Sequence, residues 1–146
     1  MSYKTGEDLI FALVKTATNF SADNTYQANW KALNKGKDDH YAILRSGEST
    51  VEWITLRGYI THYQTIIEIW QRYRDDSTTQ TTLYGYIGNI LDKLQGTPKL
   101  GDKGSTIQDS SVSVANTPEE MWTNNANGPS WLRWKITVKW DELSSI

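Results

Sequence analysis

Residues 131–140 read Trp131-Leu132-Arg133-Trp134-Lys135-Ile136-Thr137-Val138-Lys139-Trp140. Leu132, Trp134, Ile136, Val138 and Trp140 alternate with Arg133, Lys135, Thr137 and Lys139. In a strand, successive side chains point to opposite faces, so this period-two pattern makes one face wholly apolar and the other polar. Such a strand rests one face on a core and turns the other to water or to a partner. Leu132, Trp134, Ile136, Val138 and Trp140 are therefore predicted to form the core strand, and Asp141-Glu142 is expected to end it.

Working back along the chain, residues 97–130 are polar and hold all three prolines. Ile107, Val112 and Val114 suggest one strand there, Pro118–Trp122 reads as one turn of helix, and 124–129 as a loop tip. So long a polar segment is usually functional or disordered. We expect part of it to be mobile in a lone subunit and to order on assembly, with Met121 and Trp122 docking somewhere. Before it, Asp75-Asp76-Ser77-Thr78 looks like a helix start, with acids at the positive end of the dipole. Leu83, Ile87, Ile90, Leu91 and Leu94 make its apolar stripe, Lys93 sits in the last turn, and Gly96 with Pro98 stops it. Gly85 and Gly88 inside this helix suggest close approach to another backbone.

Residues 51–73 are the most β-prone stretch. Val51, Trp53 and Thr55 alternate with Glu52, Ile54 and Leu56, so both faces carry apolar groups. Gly58 marks a bend or bulge. Residues 65–70 fit helical spacing and strand spacing alike, and their β-branched density decides for a strand. His40-Tyr41-Ala42-Ile43-Leu44-Arg45 is a further short strand, and residues 19–39 read as irregular. The first element is a helix: Thr5 and Asp8 form a variant capping box, followed by Leu9, Leu13, Val14 and Ala17 on one face. Helices segregated from runs of strands define an α+β fold, with a mostly antiparallel sheet and two helices packed on one face. A length of 146 residues suits one domain spanning 1–146.

Composition narrows the function. Cysteine is absent, which removes disulfides, thiolate metal sites and thiol catalysis. The net charge of −2, with both signs spread along the chain, is not the footprint of a nucleic-acid binder. The longest apolar run, residues 9–14, is far short of the ~20 needed to cross a bilayer. It follows Glu7 and Asp8 rather than a basic leader, so no membrane role and no export are expected. His40 and His62 stand in different strands without metal-ligand spacing. The stretch Gly96–Lys103 has Asp102 where a phosphate loop needs Lys, and no G-x-S-x-G elbow is present. Acid pairs at 38–39, 75–76 and 119–120 fall in turns. No catalytic, cofactor-binding or metal-binding residue is predicted, and the chain is not expected to be an enzyme. What is unusual is the wealth of rings with a polar edge, seven Trp and eight Tyr beside two Phe. Trp and Tyr anchor protein–protein interfaces, and exposed ones stack on sugars.

The order of elements resembles the tail terminator, or tail completion, proteins of long-tailed bacteriophages, in the fold group shared with minor tail and head–tail joining proteins. The resemblance is carried by the opening helix 7–18, the strand 41–45 and Arg57-Gly58-Tyr59 leading into a long strand. It continues through Asp75-Asp76, the helix ending Leu91-Asp92-Lys93-Leu94-Gln95-Gly96-Thr97-Pro98-Lys99-Leu100, and the closing strand 131–140. Residues 101–130 do not match the family's pattern. The resemblance implies a structural virion protein of the tail or neck, assembled in the host cytoplasm. It would form a homo-oligomer, a hexameric ring that is monomeric when isolated at low concentration. Such a ring caps the major tail tube protein, ends tail polymerisation, and offers a head–tail joining surface to a head-completion or connector protein. DNA would pass through its bore without specific binding. Another neck adaptor ring of the same fold, or a glycan-binding module, are the alternatives. Sheet edges can pair with a neighbouring subunit, so the strands around 51–57 and 64–73 are the expected seam. Ile67, Trp70, Met121 and Trp122 are the candidate subunit-interface residues.

Overall fold

The computed structural model describes residues 3–27, 39–98, 100, 107, 110–122 and 130–145. Trp30 and the rest of 28–38 in the stretch read as irregular, the expected loop tip at 124–129 and most of 101–109 lie outside them. The described elements follow in the order α1 (Tyr3–Val14), β1 (Thr25–Gln27), β2 (His40–Ser46), β3 (Thr50–Thr55), β4 (Gly58–Arg72), α2 (Asp76–Gln95), β5 (Ser111–Val114), β6 (Glu119–Met121) and β7 (Trp131–Ser145).

The closing strand is the structural axis, as its alternation predicts. Leu132, Trp134, Ile136, Val138 and Trp140 are all buried. It pairs antiparallel with β4 over the whole length of both, from Arg72↔Trp131 to Gly58↔Ser145. Shorter strands flank this pair. β2 and β3 lie end to end along the outer side of β4, and β5 and β6 along the outer side of β7. Only β1, beside β2, runs parallel to its neighbour. The result is one α+β domain with a mixed, mostly antiparallel seven-stranded sheet.

Both helices cover one face. Ile10 and Val14 of α1 and Leu83, Ile87, Ile90 and Leu94 of α2 join Ala42, Leu44, Ile67, Ile69 and the apolar row of β7 in the main core. The start of α2 is built as its sequence suggests: Asp75 stands outside the helix and its Oδ1 accepts from the Thr78 N–H at 2.7 Å. The Gly96 N–H closes the other end on the Asp92 and Leu94 carbonyls. A second cluster lies on the helix-free face, where Tyr41, Ile43, Trp70 and Trp131 are buried with Tyr26 and Met121 against them. β2 is thus buried on both sides at residues 41–44, which is why it reads as a continuous apolar run.

Several expectations are corrected. β7 runs on to Ser145 rather than stopping at Asp141, because residues 141–145 pair with 58–62 of β4. α1 begins at Tyr3, upstream of Thr5, so Thr5 does not cap it. It ends at Val14 rather than Thr18: tighter turns close Ala17 on Val14 and Phe20 on Ala17, and Asn19 takes a positive φ of 74°. Residues 25–27, read as irregular, form β1. Residues 119–121 form a strand, not a helical turn, because Arg133 and Trp131 of β7 hold them across the sheet. Ile67 is fully buried under the helices beside Ile136 and Leu44, so it is a core residue and not an interface residue. Trp70 is buried on the opposite face. Residues 64–73 offer no seam, since 65–71 pair with β2 on one side and 64–72 with β7 on the other.

The glycines sort by what surrounds them. At Gly6 a β-carbon would fall inside the Trp140 indole, which is itself stacked on Tyr63 at 4.2 Å between ring centroids. Gly85 and Gly88, expected to mark close backbone approach, have nothing within 4 Å of a built β-carbon. They are plain losses of helix propensity.

Two measurements follow from this packing. Trp134→Ala and Ile136→Ala should each lower stability by about 2–5 kcal/mol in urea unfolding; transitions unchanged from the wild type would mean that this face is not core. Gly88→Ala should raise stability by up to about 1 kcal/mol. Gly6→Ala, with the same gain in propensity, should lower it by about 1–3 kcal/mol, because the overpacked indole has nowhere to move.

Candidate interaction surface

β3 and the first residues of β4 form a hairpin that extends beyond the helices. The turn is Leu56-Arg57, held by the Thr55 hydroxyl accepting from the Arg57 N–H at 3.2 Å. Thr and β-branched residues favour the strand, and a cross-strand pair of Trp53 and Tyr59, 5.0 Å apart, pins its end. Every residue of β3 is exposed. Leu56 is 97% exposed and Trp53 62%, and Val51, Ile54 and Leu143 stand open beside them. The register places Val51 and Trp53 on the face that carries the helices elsewhere, and Glu52 on the helix-free face. Among the described residues no strand lies beyond β3, so its outer edge is unpaired.

At the root of the hairpin, His62 bridges three strands. Its Nδ1 lies 2.7 Å from Asp141 of β7 and its Nε2 lies 3.1 Å from Glu52 of β3. Two acceptors on one ring need both nitrogens protonated, so the contacts favour imidazolium. The hydrogen bonds to Asp141 and then Glu52 raise the His62 pKa above its ordinary value, against a small desolvation effect. A concavity of about 360 Å³ opens beside it on the helix-free face, lined by Glu48, Thr50, His62, Gln64, Lys139 and Asp141 among others.

The helix-free face carries a second polar group. Glu68 is 1% exposed, with Arg45 Nε at 3.4 Å and Arg133 Nη1 at 3.3 Å. Arg133 also donates to Glu119 at 2.6 Å, and Lys135 lies 3.6 Å from the same carboxylate. The Arg133 bond, more than any other cause, holds the Glu119 carboxyl below its usual pKa. The charges therefore alternate in sign, three cations sharing two carboxylates.

The remaining candidates have structural work. His40 stacks on Tyr86 and bonds to Asp39 and the Asn19 carbonyl. Asp39 also pairs with Arg74 at 2.8 Å, and Asp75 is a helix cap. His40 and His62 are not brought together, and no group of three or more His, Asp or Glu that could hold a metal occurs among the described residues. Residue 99 and residues 101–106 of the glycine-bearing loop lie outside the described set. No described helix is long and apolar enough to cross a membrane.

Of the four interface residues read from the sequence, Met121 packs on the edge of the Trp70 cluster and Trp122 is 57% exposed. Ile67 and Trp70 are interior. The exposed residues Trp53, Ile54 and Leu56 fall in the 51–57 strand expected as a seam, although none of them was among the four named interface residues; Leu143 was not expected there. The signal for that strand was alternation on both sides, running into Arg57-Gly58. Comparison with protein-family models and with curated proteins finds no match.

A pH dependence follows with a definite sign. The folded pKa of His62 is raised above the unfolded value near 6.5. Its stabilising contribution is therefore complete below that value and fades as pH rises through the folded pKa. An NMR titration should place the His62 midpoint above that of an unfolded histidine, and Asp141→Asn should lower it. A midpoint at or below the ordinary value would remove the bridge.

Proposed function

We propose that the protein is a non-enzymatic assembly subunit that closes into a ring. It would cap a phage tail tube, end its polymerisation and present a joining surface to the head connector, as the resemblance of its sequence to tail terminator proteins implies. The observation that carries this reading is the projecting β3–β4 hairpin. It combines an unpaired backbone edge with exposed Trp53, Ile54 and Leu56. Monomeric proteins shield such edges, because an open apolar strand is a template for another chain. Here the edge is six residues long, holds no proline, and bears a single charge, Glu52.

The electrostatics agree with a bore that lets DNA pass. Arg45, Arg133 and Lys135 are each engaged with a carboxylate. Cations held by carboxylates contribute less to the free positive stripe from which phosphate affinity comes. A neck adaptor ring of the same fold would use the same hairpin against a different neighbour.

Sedimentation velocity with electron microscopy of the purified protein across a concentration series tests the reading. The expected result is a closed ring with an open centre that grows in population with concentration. A protein that stays monomeric up to its solubility limit overturns it.

A further inference from the structure

Among the described residues the sheet has two free edges of consequence, β3 and β5, on opposite sides of the β4–β7 pair. Their directions are fixed by topology. β3 is antiparallel to β4, β4 to β7, and β7 to β5, so β3 and β5 run in opposite directions. A head-to-tail neighbour whose helices stay on the same side of the joined sheet presents its β5 to β3 in the antiparallel sense.

We infer that β3 of one copy pairs with β5 of the next copy, and that this strand addition is the seam between subunits. The inference rests on the ring reading above and supplies its contact. Heterologous contacts of this kind use two different patches per subunit and close into rings by rotation.

The side chains support one register. Val51 and Trp53 lie on the helix side of the sheet, opposite Thr61 and Tyr59. Val112 and Val114 lie on the same side, opposite Val138 and Ile136 of the core row. Setting Val51 opposite Val114 sets Trp53 opposite Val112. The apolar row of β7 then continues through β5 into the neighbour's β3, and exposed Val51 and Trp53 gain cover. On the other face, Glu52 falls opposite Ser113. Ser113 itself faces Thr137, and Lys135 and Lys139 stand diagonally across on β7. The one carboxylate of β3, bonded to His62 in its own subunit, is thereby placed over a small side chain, with Lys139 one strand further on. A slip of one residue would exchange the faces and press Glu52 against the valines.

The competing use of the same edge is a two-fold pair of β3 strands. The alignment that sets Val51 against Trp53 there sets Glu52 against Glu52, and like charges directly opposite are unfavourable. It also leaves β5 open and gives a dimer, not a ring.

The absence of native cysteine makes a direct test clean. Glu52→Cys and Ser113→Cys are both surface substitutions. Within one chain the two positions are separated by three strand spacings, roughly 14 Å, whereas a disulfide needs Cα atoms within about 7 Å. Any bond between them is therefore intermolecular. Mixing the two single variants under mild oxidation should give the mixed disulfide as the main product, and the double variant should give a ladder of covalent oligomers. Wild-type sedimentation run in parallel separates the two levels of the argument. Rings without the mixed disulfide overturn this seam and leave the ring reading standing. A Glu52→Cys homodimer as the main product overturns the seam in favour of the two-fold pair. Neither rings nor the mixed disulfide overturns both.

Discussion

Everything in this molecule hangs on the pairing of β4 with β7, two strands of fifteen residues matched end to end. Every other strand except β1 attaches to one of them, and both helices pack on the apolar row they create. Register is critical in such a ladder, because a slip of one residue turns every side chain to the wrong face. The buried Glu68 carboxylate acts as a pin. In the observed register it lies between Arg45 and Arg133. A slip of β7 against β4 would carry Arg133 away and leave the buried carboxylate with Arg45 of β2 alone. Hydrophobic pairing alone would tolerate the error far better, since Val, Ile and Trp interchange more readily than an ion and its partner.

The same ladder explains why the hairpin is bare. Fifteen extended residues span about 50 Å, whereas the twenty residues of α2 span about 30 Å and α1 is shorter still. Helices of this length cannot roof the whole sheet. At the end where Gly58–His62 meet Asp141–Ser145, Thr61 and Glu142 are still buried, and it is β3, hydrogen-bonded to that end, whose residues all stand exposed. The exposure of Trp53 and Leu56 is thus a consequence of unequal element lengths as well as of local sequence.

How much of this was legible in the sequence depended on whether the deciding contact was local. The closing strand was readable because one of its faces is wholly apolar. α2 was readable because its cap at Asp75 and its stop at Gly96 lie at its own ends. β6 was not, since Pro118-Glu119-Glu120 imitates a helix start and only Arg133 and Trp131, distant in sequence, hold it extended. Asp141 and Glu142 looked like a strand end, yet Asp141 is matched by His62, and Glu142 is buried within hydrogen-bonding reach of Ser144. Ile67 and Trp70, two of the four residues named for an interface, proved interior for a related reason. β4 is apolar on both faces, and whether Ile67 or Trp70 meets solvent depends on what the helices and β2 cover. A strand's own pattern carries no such information. The strand at 51–57 was read as a seam, but its tight turn was not, because Leu56-Arg57 lacks the Asn-Gly or Asp-Gly pair that usually announces a hairpin.

The bridge at His62 bears on how an exposed apolar edge can persist in a folded subunit. A two-stranded ribbon is marginal in water, and the bulge between Trp53 and Thr55 weakens this one further near its tip. β7 supplies a third strand at the root, and the Asp141–His62–Glu52 bridge ties all three together across the helix-free face. The ribbon is thereby held in strand geometry before any neighbour arrives, so a partner does not have to order it on docking. On the proposed ring reading, that arrangement suits a contact weak enough for free subunits to remain apart and cooperative enough to form when several are gathered together. Each seam would bury only a few side chains, but every subunit in a closed ring contributes two edges at once. Closing the last seam costs little further translational entropy, because both partners are already attached. On the proposed reading, modest strand addition at each edge becomes a stable ring only when the circle is complete.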